Sequence, residues 1–276
     1  MPLPNQRLLS ALLLFTASGC VDATEASTDE APREVSSQEQ AIVYGQDDRQ
    51  DLYQVEDPVL RELGRSSLAA LIDKAAVHRL ASGEVRVSPR SLKELYRLCE
   101  GQRFATQPAA ASCTGVLIDK DLMLTAGHCV ETQDECKAFA FVFDYAYGAD
   151  GQLENISASD VYSCRRVVSQ IFTETRLDYA IVQLDRIPTG RSPVPVRRSA
   201  LGVEEPVTAL GFTSGLPLKV DQGAVVKDAR STLYDFFALN SDTFKGSSGS
   251  AVLDQDYAGD LGVVLALAMV IGASEG

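Results

Sequence analysis

The chain has no tryptophan, three methionines and two histidines in 276 residues. The absence of tryptophan carries no functional reading. The shortage of histidine does, because any reaction that needs an imidazole base must use His78 or His128. Positive charge is also short: 25 Lys and Arg face 38 Asp and Glu, a formal net charge of −13. A surface of that sign argues against nucleic acid as a partner. Apolar runs long enough to cross a bilayer are missing, since both Leu8–Phe15 and Leu261–Ala273 fall short of a spanning helix. No cluster of Asp, Glu, His and Cys with metal-ligand spacing stands out, so neither a metal nor a cofactor is expected. Apolar residues still make up 45% of the chain, ample for a buried core.

Three local settings carry the chemistry. His128 lies in Leu124-Thr125-Ala126-Gly127-His128-Cys129, Asp178 opens Asp178-Tyr179-Ala180-Ile181-Val182, and Ser248 lies in Gly246-Ser247-Ser248-Gly249-Ser250-Ala251-Val252. A serine hydroxyl is a poor nucleophile until a base removes its proton during attack. Histidine suits that task because its ordinary pKa is near neutrality, and a carboxylate can hold the ring in the required tautomer. Each setting alone has a plainer reading: a structural histidine beside a cysteine, a surface aspartate, a flexible Gly-Ser linker. The apolar run Ala251-Val252-Leu253 that follows Ser250 at once weakens the linker reading.

Taken in the order His, Asp, Ser, these motifs resemble the trypsin/chymotrypsin superfamily of serine endopeptidases, the family from which the triad template itself comes. The resemblance runs from about Ile42 to Leu265. It implies an all-β fold of two antiparallel six-stranded barrels with His128, Asp178 and Ser248 in the cleft between them. The backbone N–H groups of Gly246 and Ser248 match the family's oxyanion positions. Gly45-Gln46-Asp47-Asp48-Arg49 and Gly246-Ser247-Ser248-Gly249-Ser250 resemble the bacterial V8-like (glutamyl endopeptidase-like) branch. The trypsin branch has Asp where Ser247 stands, so trypsin-style zymogen activation is not expected. For the substrate pocket two residues remain in play. Asp242 matches the position of trypsin's pocket Asp, which would favour a basic side chain, and Thr243 stands where glutamyl enzymes use a hydroxyl.

The family also places a disulfide at positions matching Cys113 and Cys129. The stretch between them reads as a strand, a turn at Asp119-Lys120-Asp121 and a second strand, a hairpin that returns one cysteine towards the other. Cys136 with Cys164 is the second pairing, which leaves Cys99 over; the sequence does not settle these alternatives.

The N-terminus has the form of an export signal over residues 1–20: Arg7, the apolar stretch Leu8–Phe15, then small residues. Ala17-Ser18-Gly19-Cys20 resembles a bacterial lipobox, which would make Cys20 a lipidation site in the cell envelope; an ordinary secretory signal with an incidental cysteine is the other reading. Residues 21–40 carry six acidic side chains against Arg33 alone and read as a disordered tether or propeptide. The peptidase domain then takes residues 41–276, with strands expected at Ala41–Gly45, Ser67–Ile72, Phe139–Phe143, Val161–Cys164, Tyr179–Leu184 and Val207–Phe212. A helix is expected from Ser88-Pro89 through Leu98, with Ser91 and Glu94 spaced as a capping box. Few residues follow Ser248, so the second barrel is expected to be shortened at its C-terminal end, with Leu261–Ala273 as a strand or two. The expected function is an exported serine endopeptidase acting on polypeptides. The alternatives are a non-catalytic relative that binds or scaffolds, and an esterase of another fold, disfavoured because that fold orders its triad Ser, Asp, His.

Overall fold

The computed structural model describes residues 47–87, 90–173, 177–197, 199–229, 237–242, 247–254 and, as backbone, 266–268. The lipobox cysteine Cys20, the expected strand at 41–45, Ser88, Pro89, Thr243 and Gly246 lie outside these residues. The described elements all belong to one compact unit, 37–276.

The elements begin with β1 (Gln50–Asp51), α1 (Pro58–Ser67), β2 (Leu68–Asp73), β3 (Val77–Arg79), β4 (Glu84–Val87), β5 (Arg90–Ser91), α2 (Leu92–Tyr96) and β6 (Pro108–Ala109). They continue with β7 (Ala111–Asp119), β8 (Leu122–Thr125), α3 (Gln133–Ala138), β9 (Phe139–Val142), β10 (Ile156–Ser157), β11 (Val161–Phe172) and β12 (Asp178–Leu184). The second half holds β13 (Pro206–Gly211), β14 (Lys219–Asp228), β15 (Ala238–Leu239), β16 (Ser250–Asp254) and β17 (Ala266–Ala268).

Six strands close a barrel in the order β11-β12-β8-β7-β2-β9, each pairing antiparallel with its neighbour. Closure removes the unpaired edges that an open sheet exposes. Strand β2 is buried on both faces. Along β2, Ala69 and Leu71 join Leu117, Met123, Phe141 and Tyr162, while Leu68, Ala70 and Ile72 join a second cluster with Leu60 and Leu63 of α1. The period-2 alternation of a strand sends successive side chains into the two layers. That second layer reaches Phe212, Leu218, Val220, Ala251 and Leu253, so it is shared with the other half.

The second half is a six-stranded antiparallel sheet, β1-β14-β13-β16-β17 with β15 added beside β14. Among the described residues it stays open. Where two barrels were expected, the described residues show one closed barrel and one open six-stranded sheet. Of the apolar run Leu261–Ala273, residues 266–268 form β17 against β16, and the rest lies outside the described residues.

The stretch between the first strands departs from expectation. The capping box is present, with Ser91 accepting from the Glu94 backbone and Glu94 reaching back to the Ser91 N–H. The helix it starts ends at Tyr96, because Arg97 turns left-handed (φ 54°) and closes it. Around it lie two small sheets, β10-β4-β3 and β5-β6. Helix α1 was not anticipated, although Asp57-Pro58 is a legible start: Asp57 caps the N–H groups of Val59 and Leu60, and Pro58 takes the first helical position.

Candidate active site

β8 and β12 are antiparallel neighbours, with Ala180 opposite Thr125. The end of β8 and the start of β12 therefore share one rim of the barrel. β8 runs out at Thr125 into a single 3-10 turn, Gly127–Cys129, which holds His128; Asp178 is the first residue of β12. Gly127 is required at this crossing, because a Cβ there would stand 2.2 Å from the Ile171 carbonyl oxygen and 2.8 Å from Asp178 Oδ1.

Asp178 holds the histidine twice. Its Oδ1 accepts the His128 backbone N–H at 2.8 Å, and its Oδ2 lies 2.5 Å from His128 Nδ1. The carboxylate only accepts, so Nδ1 carries the proton and Nε2 is left as an acceptor. Ser248 Oγ lies 2.8 Å from that Nε2. The Asp178 side chain is fully buried, while the His128 ring is 32% exposed. The ring packs at a tilt against Phe172, with centroids 5.8 Å apart.

Two disulfides secure the segment that bears the histidine. Cys113 of β7 is bonded to Cys129, and Cys136 of α3 to Cys164 of β11. Both expected pairings are present. The expected leftover, Cys99, is also engaged, and no described cysteine is a free thiol. Cys113, His128 and Cys129 place ligand-type atoms within 4.8 Å of one another. The two sulfurs are bonded to each other, so that set offers no thiolate to a metal.

Ser248 is delivered by the other half of the chain and registered by Thr114 of β7. The Thr114 N–H donates to the Ser248 carbonyl at 2.8 Å, its Oγ1 accepts the Phe212 N–H at 3.0 Å, and its carbonyl accepts from Thr125 Oγ1 at 2.7 Å. Gly249 has φ +80°, and a Cβ on it would stand 2.2 Å from the Thr114 carbonyl oxygen. The glycine after the serine is thus demanded both by its backbone angle and by the approach of β7. Sequence reasoning named the three central residues and missed Thr114. No local motif marks a threonine two of whose partners, Ser248 and Phe212, lie in the opposite half.

The expected pocket residue Asp242 is buried and engaged. Its carboxylate accepts the Asp48 N–H at 3.2 Å, and its own N–H donates to Asp221 Oδ2 at 2.7 Å. Burial pushes the Asp221 carboxyl up to about 6, with the carboxylates of Asp48 and Asp242 acting the same way against the N–H groups of Asp242 and Gly223. Nearby, Lys219 Nζ is buried among Asp51 Oδ1 (2.7 Å), Gln107 Oε1 (2.8 Å) and the Pro217 carbonyl (2.8 Å). Its burial lowers the ammonium to about 8 in spite of the Asp51 partner. These bonds fasten the leading segment, Asp47 to Gln54, to the second sheet.

A family model for the trypsin-like peptidase domain matches residues 113–262, a span that includes His128, Asp178 and Ser248. The chain belongs to that family. Among solved structures it is similar to human heparin binding protein, at 15% identity and a TM-score of 0.41 over 53% of this chain and 71% of that one. It is also similar to Rv3671c of Mycobacterium tuberculosis H37Rv, in an inactive form with serine changed to alanine, at 14% identity and a TM-score of 0.41 over 76% and 77% of the two chains. No curated protein matches the chain. Among the described residues no helix is long and apolar enough to cross a membrane.

Proposed function

We propose that this chain is a serine endopeptidase that hydrolyses peptide bonds through an acyl-enzyme. The observation that carries the reading is the unbroken line Asp178 Oδ2, His128, Ser248 Oγ, with separations of 2.5 and 2.8 Å. His128 Nε2 is within reach to take the hydroxyl proton as Ser248 attacks, and can return it to the leaving amine. Asp178 keeps the ring in the tautomer this needs and stabilises the imidazolium. The oxyanion falls to the backbone N–H groups of Gly246 and Ser248, positions inferred from the family pattern.

The finer assignments rest on sequence. Gly246-Ser247-Ser248-Gly249-Ser250 supports the V8-like branch, and residues 1–20 support export with a lipid anchor at Cys20. The test uses purified protein, a fluorophosphonate probe and a peptide substrate. Wild type should label and cleave; Ser248→Ala should lose labelling, and both Ser248→Ala and His128→Ala should lose most of the cleavage, because such groups act as a unit. Unchanged cleavage in either variant sinks the assignment.

A further inference from the structure

Phe104 has φ 59°, in the left-handed region that bulky side chains rarely adopt. Three cations from three parts of the chain stand around its ring. Arg103 lies 4.7 Å from the centroid, Lys219 of β14 4.8 Å and Arg49 of the leading segment 5.4 Å. Like charges gathered at one ring repel unless carboxylates offset them. Asp47 pairs with both Arg49 (2.8 Å) and Arg103 (3.0 Å), and Asp51 pairs with Lys219 (2.7 Å). The Arg103 guanidinium also donates to the backbone carbonyls of Asp47 and Arg49, the latter at 2.6 Å. The Arg49 side chain is left only 8% exposed. The leading segment is thus held from two directions: β14 pairs with β1, and Arg103 and Phe104 hold residues 47 and 49. Backbone strain of the kind seen at Phe104 persists only where the surroundings over-determine it, and it points to a task.

We propose that Phe104 and Arg103 form a latch that sets the limit of proteolytic trimming: the chain before Asp47 can be cut away, and the chain from Asp47 onward stays on the body. The proposal goes beyond the peptidase reading and does not depend on it. Cutting of a folded chain follows the population in which the scissile bond has opened away from the fold. Basic residues make the limit sharp. The stretch 21–40, read from its composition as a tether or propeptide, has Arg33 as its one basic residue, and the next basic residue along the chain is Arg49. To a peptidase that cuts after a basic side chain, the two bonds are chemically alike. At the second, however, the side chain is pinned by Asp47 and the Phe104 ring, the carbonyl is held by Arg103, and Gln50 is paired opposite Val220 of β14. Such a peptidase stops after Arg33.

The test adds trypsin to the full chain carrying Ser248→Ala, so that the added enzyme does the cutting whether or not the chain is itself a peptidase. Mass spectrometry follows three bonds: after Arg33, after Arg49, and after Arg166 within β11. The last lies in a strand of the closed barrel and opens when the barrel unfolds. The parent should be cut after Arg33 and resist after Arg49. Phe104→Leu keeps an apolar side chain and loses the aromatic face. It should speed cutting after Arg49 by about tenfold, the effect of losing several cation–π contacts at one partly desolvated ring. Phe104→Tyr keeps the ring and should stay near the parent. Arg103→Gln removes the charge from a side chain that is 44% exposed, and should also speed cutting after Arg49; it decides the matter should Phe104→Leu fail to fold. Cutting after Arg166 should not change in any of them. Three results overturn the proposal: a parent cut as fast after Arg49 as after Arg33, variants as resistant after Arg49 as the parent, or a rise after Arg49 matched by an equal rise after Arg166.

Discussion

The two halves of the chain are stabilised by different means. The first is a closed barrel with both located disulfides, and it carries His128 and Asp178 on one rim. The second is a sheet fastened by buried charge, with Lys219 on Asp51 and Asp221 on the Asp242 backbone, and it carries Ser248. Covalent bonds and apolar layers dominate the first half, with the Arg191 pairs to Asp144 and Asp160 beside them. The second relies on buried polar contacts of Lys219 and Asp221. His128 and Asp178 therefore sit on the disulfide-bonded side, and Ser248 on the side fastened by buried polar contacts.

The sharpest test of the division lies at the rim of the first barrel. Asp178→Asn keeps the shape and removes the charge, and should lower turnover by about four orders of magnitude, the effect known for the triad template. Its thermal midpoint should move little beside that loss, and a variant that only unfolds would show the reverse.

Next comes the join. Gly249→Ala forces a Cβ towards the Thr114 carbonyl at 2.2 Å and puts alanine at φ +80°. The displaced Ser248 should react with a fluorophosphonate about a hundredfold more slowly, as expected for a misplacement near 1 Å. An unchanged labelling rate would mean that β7 does not set the register of the nucleophile.

A third test addresses stability on the covalent side. Replacing Cys113 and Cys129 together by alanine opens a loop of sequence separation 16. Denaturant unfolding should show a loss of about 3 kcal/mol. A loss well below 1 kcal/mol would show that apolar packing alone holds the histidine's segment.

The smallest effect should appear on the charged side. Lys219 titrates at about 8 when folded, below its ordinary 10.5. Between those values the unfolded chain binds more protons, so this residue makes stability rise with pH there. Lys219→Met should remove that part of the slope in unfolding measurements at successive alkaline pH values. If the variant retains the wild-type slope, the buried Lys219 is not its source.

What could be read from the sequence follows the same division. The barrel strands alternate or run apolar, so β2, β9 and β12 are legible, and the histidine, aspartate and serine motifs are short and local. β14 is not legible, because Lys219 and Asp221 are polar residues at buried positions and look like a solvent face. Their partners, Asp51, Gln107 and Asp242, are distant in sequence, and no window along the chain contains the bonds that make burial tolerable. Helix α2 is shorter than its capping box suggests because a stop through Arg97 in a left-handed conformation has no glycine to announce it. Thr114 is hidden for a related reason, since a threonine in an apolar strand reads as packing.

The bond from Thr114 to Ser248 also bears on when activity can begin. A ribosome delivers β7, His128 and Asp178 well before Ser248, and closing that long loop is slow beside local barrel pairing. The proposed base and carboxylate can be assembled while the nucleophile is not yet part of the chain. The chain order thus delays the meeting of Ser248 with His128 until synthesis has passed Ser248 and its turn has found β7.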